Sequence, residues 1–237
     1  VFLTAAIVVV SAVGAAAAVL SPDTIVNETF PITKTVRGKT FTDGSSFTTG
    51  SGEKWNVIFS GFGSVTIAKD WDTSGYLQLS PAVATSPSQT HGALVVSNDK
   101  ADAAHPCVNV AHRIRTKAQL RTGSEPNPWE MAWTVWDYQD TEHFMYFIPK
   151  TNGWELGKRD PAYPGGQRFL ASGSTSPTSV GRWRSIDTTR NVNTDGTSTI
   201  TVKIDGQQVT QVTDGERPYT SGAVGLYSED AVADADL

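Results

Sequence analysis

"NPWEMAWTVWDYQDTEHFMYF", residues 127–147, carries three of the chain's seven tryptophans, with acids and hydroxyls set between the rings. Its apolar and polar residues follow a period of two, which is a strand pattern. Alternation places Trp129, Met131, Trp133 and Val135 on one face, and Glu130, Ala132, Thr134, Trp136 and Tyr138 on the other. With residues 139–142 as a four-residue loop, Tyr138 pairs with His143. His143 and Met145 then join the second face, and Phe144, Tyr146 and Ile148 the first. The first face reads as core. The second offers rings beside directional hydrogen-bonding groups, the mixture that a sugar needs, because ring faces stack on pyranose C–H surfaces while carboxylate and imidazole bond hydroxyls. A slip of one residue would exchange the two faces.

Outward from this stretch the chain continues as short strands. "WNVIFSGFGSVTIA" (55–68), "GYLQLSP", "GALVVSN" and "VNVAHRIRTKAQL" precede it; "NGWELGK", "QRFLASG", "GRWRSIDTTRNV", "TSTITVKIDGQQVTQVTD" and "SGAVGLYSEDAVADADL" follow. Asn152-Gly153 and Asp205-Gly206 mark hairpins, since type I′ turns need positive φ at both central residues. At least ten strands without an amphipathic helix predict an all-β fold, an antiparallel two-sheet jelly-roll sandwich. The 237 residues, with 21 Gly and 12 Pro, fit one such domain.

Residues 1–20 hold no charge and end in small residues, so they read as a signal peptide or a membrane anchor. Residues 21–45 are expected as linker and first strand, and 46–237 as the jelly-roll domain. A secreted or extracellular monomer is expected, held at the membrane where the N-terminal segment serves as an anchor. Cys107 stands alone, which excludes an internal disulfide. A net charge of −5 argues against nucleic acid as partner, because phosphate binding needs a dense basic surface.

The closing run "GRWRSIDTTRNVN…STITVKIDGQQVTQVTD…SGAVGLYSEDAVADADL" resembles the last strands of concanavalin A-like lectin/glucanase domains, in which a G-x-W strand, a V-x-G hairpin and a G-x-V-G-L-Y strand follow in this order. It looks like secreted bacterial 3-keto-disaccharide hydrolase and family-16-like glycosidase domains. The resemblance implies a jelly roll, with a calcium ion away from the sugar cleft. The glucanase signature E-x-D-x-E is absent, and "EDAVADAD" has its acids in another order, so no catalytic pair carries over.

Downstream of the opening stretch, "NGWELGKRDPAYPGGQRF" adds Trp154, Glu155, Lys158, Arg159, Asp160, Tyr163 and Arg168 around a long Pro/Gly loop. Trp136, Tyr138, Trp154, Lys158, Arg168 and His91 are therefore the expected substrate-binding residues. With Asn152-Gly153 as a two-residue turn, Lys150 pairs with Glu155 on the face read as core, as an ion pair near the sheet edge. Asp43, Asp234 and Asp236 are the expected calcium ligands, hard oxygens for a hard cation. His105 and His112 flank Cys107 without zinc spacing. The expected function is binding of a poly- or oligosaccharide in a concave cleft. The alternative is a glycan-cleaving hydrolase or lyase with Glu130 and His143 as its catalytic groups.

Overall fold

The computed structural model describes residues 6–8, 25–28, 30–31, 36–69 and 75–236. Its strands are β1 (Ala6–Val8), β2 (Thr40–Phe41), β3 (Ser46–Thr48), β4 (Lys54–Phe59), β5 (Ser64–Lys69), β6 (Gly75–Ser80), β7 (Gly92–Ala101) and β8 (Cys107–Gln119). Then come β9 (Ala132–Asp140), β10 (His143–Lys150), β11 (Gly153–Arg159), β12 (Gln167–Gly173), β13 (Arg184–Val192), β14 (Ser198–Ile204), β15 (Gln207–Asp214), β16 (Gly222–Glu229) and β17 (Ala231–Asp236). One antiparallel sheet runs β15-β14-β13-β8-β17-β6-β5-β2, with β1 parallel beside β8. The second runs β12-β11-β10-β9-β16-β7-β4-β3. The single helical element is a 3₁₀ turn at Pro164–Gly166, among the described residues. The architecture is the jelly-roll sandwich expected.

Period-two alternation builds the space between the sheets. Val110, Ile114, Ile186, Val202, Leu77 and Leu79 of the first sheet meet Trp55, Val95, Trp136, Phe147, Trp154 and Leu226 of the second. Val26, Phe30, Val36 and Phe41, from the 21–45 stretch, join this core. Among them Glu28 is buried, and its carboxylate accepts from Ser51 Oγ (2.7 Å), Trp55 Nε1 (3.2 Å) and the hydroxyl of Thr49. Most of residues 1–20 lie outside the described residues.

The opening stretch folds as β9 and β10, joined more tightly than alternation alone suggests: Asp140, not Tyr138, stands opposite His143, and only Thr141 and Glu142 connect them. Trp133, Val135, Phe144, Tyr146 and Ile148 do share a face, but it is the face turned away from the first sheet. Ala132, Trp136, Met145 and Phe147 point into the sandwich. Trp136 is 1% exposed, which corrects its expected place in a binding cleft.

Tyr138 parts from Trp136 because the strand bulges between them. Asp137 has φ 48°, and the pairing of β9 with both neighbours shifts there. The bulge turns Trp136 and Asp137 inward together, where Arg190 of β13 donates from Nε to Asp137 Oδ2 (3.1 Å) and from Nη2 to Oδ1 (2.9 Å). Further Arg190 donors reach the carbonyls of His105, Pro106 and Thr220. Burial pushes the Asp137 carboxyl above its ordinary range, and the guanidinium works against that push. Asp137→Ala would leave a buried guanidinium without its counter-charge. Chemical denaturation should show a loss of about 3–5 kcal/mol.

His112 lies in the same interior, Nε2 2.7 Å from Thr134 Oγ1, with Nδ1 unpaired. Burial lowers its pKa to about 4 from 6.5. The unfolded chain therefore takes up this proton first as pH falls, so the contribution is intact above pH 6.5 and is lost progressively towards pH 4. The full effect is about 3 kcal/mol. His112→Gln should flatten the fall in stability over that window relative to the wild type in urea melts at stepped pH.

Candidate functional site

A sheet face turned away from the sandwich normally meets water with polar side chains. The second sheet's outward face instead carries its own apolar cluster, with Leu94, Val96, Trp133, Val135, Tyr146 and Ile148 all buried. The Trp133 ring lies between Tyr146 and Tyr227, at centroid distances of 5.0 and 4.7 Å. Phe59 meets Tyr227 edge-on at 6.2 Å.

Two glycines let these rings lie against the sheet. Gly157 stands opposite Tyr146 in the β10–β11 ladder, and a Cβ there would sit 2.5 Å from the tyrosine hydroxyl. A Cβ on Gly92 would come within 2.7 Å of the Tyr227 hydroxyl. The rings pack tilted and edge-on to one another within this cluster, and the tyrosine hydroxyls are tied to carboxylates. Tyr146 Oη donates to Glu155 Oε1 (3.3 Å), which Lys150 Nζ also reaches through Oε2 (3.1 Å). Tyr227 Oη donates to Glu229 Oε2 (2.9 Å). Arg159 faces Glu142 at 3.3 Å. Two large rings remain accessible at opposite ends: Trp129, 41% exposed, whose carbonyl accepts from Trp133 Nε1 (2.8 Å), and Phe169, 59% exposed, on edge strand β12 opposite Gly157.

Burial, with nearby carboxylates adding to it, raises the pKa of both tyrosines far above the ordinary phenol range. They stay protonated and act as donors, which makes them unsuited to abstract a proton. Burial also raises the Glu229 carboxyl; Asp230 and Glu130 push the same way, while hydrogen bonds from Tyr227 and Trp129 oppose them.

The expected site residues are scattered by comparison. Tyr138 lies in the outward cluster beside Phe144, at 6.2 Å, and Glu155 and Lys150 pair on that face, not in the core. Glu130 is fully buried in a knot: Arg121 Nε donates to it (2.5 Å), as does Asn127 Nδ2 (2.6 Å), and Arg121 Nη2 also reaches Asp230 (3.2 Å). That carboxylate joins loops and is closed to a substrate. His143 is held by Asp140 at 2.8 Å. Trp154 is a core residue, donating to Thr175 Oγ1 (3.1 Å). Lys158 is completely buried, donating to Asp214 Oδ2 (2.7 Å) and to the carbonyls of Glu216 and Arg217. Arg168 is exposed, near Glu216 at 3.5 Å and over the Tyr163 ring. His91 Nδ1 contacts the Ala82 carbonyl at 2.8 Å.

The expected calcium ligands have other partners. Asp43 accepts from Ser60 N and Oγ, both at 2.6 Å; Asp234 pairs with Arg115 at 2.6 Å, and Asp236 with Arg113. No group of three or more His, Cys, Asp or Glu side chains is placed to hold a metal ion among the described residues. Sequence reasoning passed over Trp133, Tyr146 and Tyr227 because large rings on alternating positions read as core. The signal available was the glycine facing each tyrosine.

No family model matches this chain, and no curated protein does. Solved structures are similar in fold. The carbohydrate-binding module CBM66 from Bacillus subtilis is 13% identical, covers 77% of this chain and 91% of its own, and superposes with a TM-score of 0.51. The carbohydrate-recognition domain of Emp47p is 10% identical, covers 83% and 91%, and superposes with a TM-score of 0.50.

With its pKa raised, Glu229 is the group whose ionisation works against this face. The folded state favours the protonated carboxyl more than the unfolded chain does, so this contribution to stability falls as pH rises above the ordinary glutamate range. Glu229→Gln, whose amide oxygen still accepts from Tyr227, should be at least as thermostable as the wild type at pH 7, and its advantage should shrink as pH drops towards 4.5.

Proposed function

We propose that the outward face of the second sheet binds a neutral oligosaccharide. The observation that carries this is the pair of accessible rings, Trp129 and Phe169, at the margins of an apolar face whose buried Trp133, Tyr146 and Tyr227 hold Glu155 and Glu229 in place, on a face that folding alone would leave polar. Trp129 and Phe169 supply accessible stacking surfaces. Strand β12, which carries Phe169, and β9, which follows Trp129, are three strand spacings apart, about 14 Å across the sheet, and Phe169 is level with Val135 and not with the start of β9, so the two rings are also offset along the strands, which suits a run of several sugar rings. Lys150 and Arg159 each face a carboxylate, which leaves them poorly placed to neutralise a uronate and favours an uncharged glycan. The two structural neighbours named above carry carbohydrate recognition in their own descriptions, which agrees with this reading.

Cleavage is the second reading, and the raised Glu229 carboxyl is the group in its favour, since a general acid must hold its proton near the working pH. Reducing ends released by the wild type and lost in Glu229→Gln would turn the binder into a hydrolase.

Calorimetric titration with hexaoses of glucose, mannose, xylose and fructose, and with a hexauronate, tests the proposal. A neutral hexaose should bind and the hexauronate should not. Trp129→Ala and Phe169→Ala should each weaken binding about tenfold, or ~1.4 kcal/mol, with little change in Tm, as expected of exposed rings. Trp183→Ala, on the other sheet, should leave affinity intact. Equal loss in all three variants, or binding of the hexauronate alone, would refute the assignment.

A further inference from the structure

The turn Ser60-Gly61-Phe62-Gly63-Ser64, between β4 of the second sheet and β5 of the first, puts a large ring where the backbone disfavours one. Gly61 and Phe62 both have positive φ, 62° and 61°, and Gly63 N donates to Ser60 O (3.1 Å). Two successive left-handed residues define a type I′ turn, whose central positions favour Gly, Asn and Asp. A bulky residue there strains the chain, and here the strain is not offset by burial: Phe62 is 85% exposed. Local preference and hydrophobicity both speak against phenylalanine at this point, and such a double conflict marks a position kept for something other than folding.

The turn is also built so that it cannot give way. Asp43 accepts from the Ser60 amide and hydroxyl at 2.6 Å, and Ala82 N donates to Gly61 O at 2.9 Å. A Cβ on Gly61 would collide with the Gly92 carbonyl, and one on Gly63 with the Ser80 carbonyl. The Phe62 ring meets the His91 ring at 5.1 Å and 60°. The Ala82 carbonyl can only accept, so His91 Nδ1 carries the hydrogen, and Nε2 of the neutral ring is an acceptor. Gly92, the next residue, pairs with Glu229 in the ladder and has the Tyr227 hydroxyl against it. The turn therefore abuts the Tyr227–Glu229 end of the face described above.

We infer that Phe62 is a fixed stacking platform for one further sugar ring, with His91 beside it to accept a hydroxyl, so that the oligosaccharide site continues past Glu229 onto this turn. The inference rests on the proposed function of the face. A membrane surface fits less well, because Asp43, Glu130, Glu229 and Asp230 outnumber Arg121 around the turn and an anionic leaflet would be repelled. One ring with its neighbour is also too small for a protein interface.

Phe62→Asn removes the ring and suits the left-handed backbone; Phe62→Tyr keeps the ring. Both are measured by calorimetry against the neutral hexaoses and by thermal melts. The Asn variant should bind about tenfold more weakly while its Tm rises by about 2–4 °C, and the Tyr variant should bind like the wild type. Unchanged affinity in Phe62→Asn, with loss in Trp129→Ala, would overturn this inference alone. A fall in Tm would show a ring needed for packing and would also overturn it. Failure of the wild type to bind any hexaose would overturn the reading of the whole face.

Discussion

The buried Arg190–Asp137 pair is the constraint on which the arrangement of the second sheet depends. A carboxylate and a guanidinium, each 1% exposed, are stable between two apolar sheets only if their hydrogen bonds are nearly all made, and here they are: two to the carboxylate and three to carbonyls. To bring Asp137 to Arg190, β9 takes a left-handed residue in mid-strand and turns two consecutive side chains inward. From that point alternation restarts, so Tyr138 falls with Trp133 and Val135 on the outward face.

The outward face then has to solve a problem that most sandwich sheets avoid. Its rings pack against one another tilted and edge-on, the two tyrosines over glycines, and give their hydroxyls to Glu155 and Glu229. The result is mostly closed and rimmed by hydrogen-bonding groups, with accessible rings at its margins. If the proposed ligand binds here, little side-chain freedom remains to be lost on binding. The opposite outward face, on the first sheet, closes differently. There Arg113 and Arg115 pair with Asp236 and Asp234 under the Trp183 ring, so its charges satisfy one another.

Much of the architecture was legible in the sequence: the strand periodicity, the two-sheet jelly roll, and the grouping of Trp133, Val135, Phe144, Tyr146 and Ile148 on one face. What alternation cannot give is the sign. A face rich in large apolar residues reads as core by hydrophobicity alone, and only the packing shows that β9 and β10 are apolar on both sides. The expected cleft residues Trp136 and Trp154 therefore turned out to be interior, and Glu130 and Lys158, which read as ligand-binding charges, hold loops together. Long-range partners decided those cases, Arg121 for Glu130 and Asp214 for Lys158, and strand periodicity carries no information about them.

The central claim is that ligand meets the outward face of the second sheet. Indole N–H resonances, observed by ¹⁵N–¹H NMR during titration with a neutral hexaose, report on each tryptophan separately. The account predicts that Trp129 and Trp133 shift progressively while Trp136, Trp154 and Trp183 stay in place. Shifts at Trp183 with Trp129 and Trp133 unmoved would place the ligand on the other sheet and contradict it.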